Sequence, residues 1–162
     1  MPNSKATSAK SANALAVKEA LSLSCAADSL FRLAAECCRQ QARIGRVLDQ
    51  QCNDEELEAV IALSVLAVHQ LAEASERYAA LTTGGDHADL DDKTWHSANS
   101  LWQASREYVR RHNACNVRSA KMSRHSPAQL GELAIDYELK ASSVLALRYA
   151  VEQYQKLRPD AM

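Results

Sequence analysis

Apolar residues in this chain recur at spacings of three and four, the repeat that lays one stripe along a helix. The first stripe is Leu23, Ala26, Ala27, Leu30, Leu33, Ala34, Cys37, Ile44, Val47 and Leu48, interrupted only by Gln40 and Gln41. It predicts a long helix ending near Gln51, with a short separate helix over 13–22 as a variant of the same reading. A second stripe follows at Leu57, Val60, Ile61, Ala67, Val68, Leu71, Ala74 and Tyr78. Asn53 is its natural N-cap and Glu56 the matching capping-box residue, while Asp54 and Glu55 suit the positive end of the helix dipole. Thr82-Thr83-Gly84-Gly85 stops it. The third stripe is Trp95, Ala98, Leu101, Trp102, Ser105, Tyr108, Val109, His112 and Cys115, starting near Asp91 or Asp92. The polar run 113–126 is compatible with a helical continuation or with a break. Ser126, Pro127 and Gln129 then supply a cap, a first-position proline and a capping-box partner. Leu130, Leu133, Ala134, Tyr137, Ala141, Val144, Leu147, Val151 and Tyr154 form the fourth stripe, which Pro159 closes.

Four amphipathic stripes with short connections predict an all-α, up-down-up-down antiparallel four-helix bundle over 12–158. Residues 1–11 read as a disordered, solvated tail and 159–162 as a second tail. Composition agrees, since no proline falls between Asn3 and Ser126 and only Gly45, Gly84, Gly85 and Gly131 are glycines. One stretch departs from a simple bundle. Residues 59–68 are apolar on almost every side, Ser64 excepted, and Val65 and Leu66 lie off the core stripe. A helix apolar all round is normally covered. The covering element is expected to be the N-terminal segment or a second copy of the protein, with Val65, Leu66 and His69 as contact residues.

The net charge of −1 implies no polyelectrolyte partner overall. No uninterrupted apolar run approaches the ~20 residues needed to span a bilayer, so no membrane role is expected. The start lacks a hydrophobic signal core. Lys5, Lys10 and Lys18 precede the first acid, Glu19, which faintly resembles an organelle transit peptide, but arginine is missing and a solvated tail fits better. The five cysteines, an odd and irregularly spaced set, do not form a secreted disulfide framework and read as reduced and cytoplasmic.

Candidate chemistry is sparse. A di-iron bundle needs Glu-x-x-His on two helices, and the positions three before the five histidines hold Leu66, Gly84, Lys93, Val109 and Met122. His69 lies off the core stripe, as a phosphate-accepting histidine must, but Ala72 and Glu73 stand where such domains carry a basic residue and a glycine. The acidic loop Asp86, Asp89, Asp91 and Asp92 lacks the order of a calcium loop. His112 and Cys115 sit one turn apart on the inner face, towards the same end as Cys52, and make a soft-metal site an alternative. Arg110, Arg111, Arg118, Lys121 and Arg124 crowd the end of the third helix. They could follow nucleic-acid phosphates, or pair with Glu132, Asp136, Glu138 and the acids of 54–58 as a solvated belt, the preferred reading. Arg106 and His112 bracket five residues, and Arg118 and His125 bracket six. An arginine followed at this distance by a histidine within a helical bundle resembles the HEPN ribonucleases. That resemblance implies RNA cleavage or phosphate binding across a dimer, with the histidine as general acid or base and the arginine on the phosphate. No phosphate-binding glycine loop, nucleophile elbow, metalloprotease motif or cofactor motif is present. The leading reading is therefore a non-catalytic, homodimeric interaction module working through the second helix.

Overall fold

The structure, a computed structural model, describes residues 22–50, 53–83, 89–121 and 126–162. They form α1 (Leu23–Asp49), α2 (Asp54–Thr82), α3 (Asp92–Lys121) and α4 (Pro127–Leu157), closed by a 3-10 turn at Pro159–Ala161. There is no strand among the described residues, and the fold is the four-helix bundle that the stripes predict. The expected tail over 1–11 and the helical stretch 12–21 lie outside the described residues.

Each helix start is fixed by a side chain that accepts an otherwise unpaired backbone N–H. Ser22 accepts from Cys25 at 3.1 Å and Asn53 from Glu56 at 2.8 Å. Asp91 accepts from the backbone N–H of both Lys93 and Thr94 at 3.0 Å. Ser126 and Gln129 complete the reciprocal capping box. The polar run after Asn113 continues α3 in helical form to Lys121, and Met122–His125 is outside the described residues.

α1 packs along α2 and α3 along α4, forming two hairpins that meet more sparingly through α1–α4 and α2–α3. α1 and α3 also touch across the bundle, whereas α2 and α4 do not meet. The cross-section is thus a rhombus with α2 and α4 at its far corners. The shared core gathers at the end where α1 begins and α2 finishes. Leu30, Phe31, Leu71, Tyr78, Leu101, Leu147 and Tyr154 are fully buried there, with the Phe31 and Tyr154 rings tilted by 34° and 5.3 Å apart between centroids. Polar ties hold the same end. Tyr154 donates to Asp28 at 2.7 Å and Arg158 to the other oxygen at 2.5 Å. Tyr78 donates to Asn99, and the Ser24 N–H to Asp89. Residues 159–162, read as a tail, carry the 3-10 turn that buries Ala161.

At the opposite end the sharing fades. Val47 and Val60 are buried but stand outside the common cluster, and no residue of 127–142 is buried. Leu130, Ala134, Tyr137 and Ala141, assigned to the core by their spacing, are exposed. The first half of α4 runs past the shared core, so its apolar positions meet little beyond α3. α2 is also apolar enough on average, though not as an unbroken run, to cross a membrane by length and composition. Only a third of its most apolar stretch is buried. Length and composition do not by themselves separate a span from a bundle helix, and the buried side of α2 packs on α1 and α3.

The Asp28 clasp joins the first helix to the last. Asp28→Ala strands the buried Tyr154 hydroxyl and frees Arg158 together. It is expected to lower unfolding free energy by about 2–4 kcal/mol, against about 1 kcal/mol for Ser126→Ala. Thermal unfolding of the two variants beside wild type measures the difference, and equal losses would refute the clasp.

Candidate functional site

α2 turns Val60, Ser64, Ala67, Val68, Leu71, Ala74, Ser75 and Tyr78 inward. Placing those on one side at 100° per residue leaves the remaining apolar positions of its first half on the flanks and back. Ile61, Leu63, Val65 and Leu66 are 46%, 43%, 48% and 52% exposed, and Ala59 and Ala62 beside them are exposed too. No charged residue falls between Glu58 and His69. His69 borders this patch, its Nε2 3.3 Å from the Glu73 carboxylate in an exposed pair. The three interface residues expected from sequence therefore lie together on the outer side of α2, with Ile61 and Leu63 exposed on its two flanks. Ile61, placed in the core stripe by its spacing, lies about 90° from the middle of the buried face and so falls on the exposed flank.

A groove of about 730 Å³ runs between α2 and α3. Its α2 wall is built of small residues, Ala72, Ser75 and Ala79, and its α3 wall of Trp102, Arg106 and Val109. Trp102 is held by its indole N–H, which donates to the Ser75 carbonyl at 3.1 Å. The Arg106 guanidinium lies 5.1 Å from the centroid of that indole.

His112 occupies a different environment. It is 4% exposed, its ring 6.0 Å from that of Tyr108, and neither nitrogen has a hydrogen-bond partner among the described residues. Burial, aided by the Lys140 charge, pushes its pKa down to about 4. It lies six positions on from Arg106, which turns the two about 120° apart on the helix. Arg106 is at the surface in the groove and His112 is inside, so the structure does not bring this pair to one site. Cys115 is buried one turn on from His112, its thiol pushed up by burial. Cys52 lies outside the described residues, and among those described no three His, Cys, Asp or Glu side chains converge as a metal site. Burial also raises Cys37 to about 12 and Cys38 to about 11, which keeps both as unreactive thiols.

The basic end of α3 is largely paired. Arg110 grips Glu107 through two bonds of 2.8 and 2.7 Å, and Arg111 reaches the same carboxylate at 2.7 Å. The Arg110 hydrogen bond is the main reason that the Glu107 carboxyl is held down at about 2. Arg118 bridges Glu132 and Asp136 of α4. Lys121 is exposed, and Arg124 lies outside the described residues. This is the solvated belt, drawn from α4 and from α3 itself; the acids of 54–58 take no part in an ion pair among the described residues.

The chain matches no protein family, no curated protein and no solved structure.

The buried imidazole has a pH consequence. Its folded pKa is depressed to about 4 from an ordinary value of 6.5, so between those values the unfolded chain binds the proton more readily. The neutral His112 contribution is thus intact above pH 6.5 and is lost as pH falls towards 4, by about 3 kcal/mol in all. His112→Leu should remove that part of the slope and leave stability at neutral pH equal or higher, because two unpaired nitrogens disappear. Urea unfolding at several pH values between these limits tests it; parallel slopes for variant and wild type would count against it.

Proposed function

We propose that this chain is a small helical interaction module that binds a second copy of itself through the outer face of α2. The observation carrying this reading is the run of exposed Ile61, Leu63, Val65 and Leu66 on a stretch of helix without charge. Covering such a patch removes apolar surface from water, which favours association. A two-fold contact uses the same patch on both copies, so one helix face suffices to build a closed dimer. His69 and Glu73 then form part of a polar rim around the apolar centre, the usual anatomy of an interface. No catalytic group is required by this reading. The groove arginine and the buried histidine are far apart in environment, which favours binding over chemistry at that pair.

The test is the association state. Sedimentation of wild type at micromolar concentration should give a dimer, and Val65→Glu with Leu66→Glu should give a monomer of unchanged helical content. A wild-type chain that sediments strictly as a monomer would overturn the proposal.

A further inference from the structure

We infer that the groove between α2 and α3 is a binding site for a small, flat, singly charged organic anion, an aromatic carboxylate being the simplest case. Four features of the groove lead there. Its volume, about 730 Å³, falls within the range of small-molecule sites, roughly 300–1,000 Å³. The empty space comes from sequence: Ala72, Ser75 and Ala79 on α2 face α3 with minimal side chains. The indole of Trp102 supplies a flat apolar wall and cannot swing freely, because its N–H is bonded to the Ser75 carbonyl.

The fourth feature is charge. Arg110, Arg111 and Arg118 all spend their guanidinium groups on carboxylates of the protein. Arg106 does not. It rests on the Trp102 ring, with no ion pair to any described carboxylate. A guanidinium anchored on an aromatic face keeps its planar edge of N–H donors for a carboxylate, which it meets through two parallel bonds. An apolar body lying on the alanines and the indole would place such a carboxylate beside Arg106. Glu76 also lines the groove and has no ion pair among the described residues, so a second negative charge on the ligand is disfavoured. That selects a monoanion with an apolar body over a nucleic-acid backbone. The groove lies on the α3 side of α2, C-terminal to the exposed Ile61–Leu66 stretch, and none of Ile61, Leu63, Val65, Leu66 and His69 lines it.

The chain reports on this groove directly. It has only two tryptophans, Trp95 and Trp102, and hence two indole N–H signals in a nitrogen–proton spectrum. Titration of the labelled full chain with naphthoate should shift the Trp102 signal saturably and leave that of Trp95 in place, with Trp102→Phe giving the assignment. Arg106→Gln should weaken naphthoate about tenfold or more, the weight of one charge-assisted contact. Naphthalene methanol, which has the same flat body without the charge, should bind wild type more weakly by a similar factor. Ala79→Leu, which fills the groove, should abolish the shift. The inference fails if the Trp102 signal stays still at millimolar naphthoate, if the neutral alcohol binds as well as the acid, or if Arg106→Gln leaves the affinity unchanged.

Discussion

α1 and α3 approach each other across the bundle along faces that carry Ala27, Ala34, Ala98 and Ser105, each without measurable exposure. Small residues at those levels let two helices close on one diagonal while larger neighbours fill the space on either side. Tyr78, Tyr154, Phe31, Leu71, Leu101 and Leu147 do that filling. The geometry has a cost elsewhere. Shortening one diagonal lengthens the other, and α2 and α4 are left at corners where they do not touch. A corner helix buries the narrowest stripe of the four and should be the most sharply two-faced. Here α2 and α4 carry apolar residues around most of their circumference instead. The surplus surface of this protein follows from that conflict between packing geometry and residue pattern.

The two ends of the bundle differ in the same spirit. One end is dense and cross-tied, with the Asp28 carboxylate holding Tyr154 and Arg158 and with Asn99 holding Tyr78. The other end has polar groups where a core would continue. Gln41 reaches Ser64 at 3.0 Å between α1 and α2, and His112 sits buried on α3 without a hydrogen-bond partner among the described residues. Buried polar atoms weaken the drive to close that end. The exposed stretch of α2, Ile61 to Leu66, falls in this half of the molecule. Surface left uncovered by the monomer and surface available for a partner are therefore the same surface.

Much of this was legible in the residues. The cap at Asn53, the capping box at Ser126 and the stripe of α1 rest on local chemistry; both caps hold, and the stripe holds from Leu23 to Cys37 and at Val47, while Leu48 at its end is exposed. The exposed face of α2 was legible as well, because a run without charge contradicts the three-to-four repeat around it. The cap at Ser22 was not, since Ser24 competes as a cap and no carboxylate follows at the capping-box position. The exposure of Leu130 and Tyr137 was hidden for another reason: a stripe tells which side of a helix faces inward, not how far along the helix the neighbours extend. The Trp102 groove needed still more, because Ala72, Ser75 and Ala79 become a wall only once α3 is placed against them. The Arg106–His112 spacing shows the converse. A step of six positions on a helix already implies divergent directions, and the structure adds that one side chain is at the surface and the other inside.

Exposed apolar residues on α2 and on α4 do not carry equal weight. On α4, Leu145 and Tyr149 are the most exposed, yet Arg148 and Glu152 flank them and lie 4.0 Å apart. Single apolar side chains among charges are ordinary protein surface. Ordering charged groups against a partner there would require stripping their water, which offsets much of the gain from covering a leucine. On α2 the nearest charges are Glu58 below the patch and the His69–Glu73 pair above it, with none between. That stretch loses no charge hydration on contact. If both corners associated equally, opposite faces of each copy would be engaged and assemblies would grow without closing. The charge-free corner at α2 and the charge-studded corner at α4 instead support the proposed contact at α2 alone, two-fold and closed.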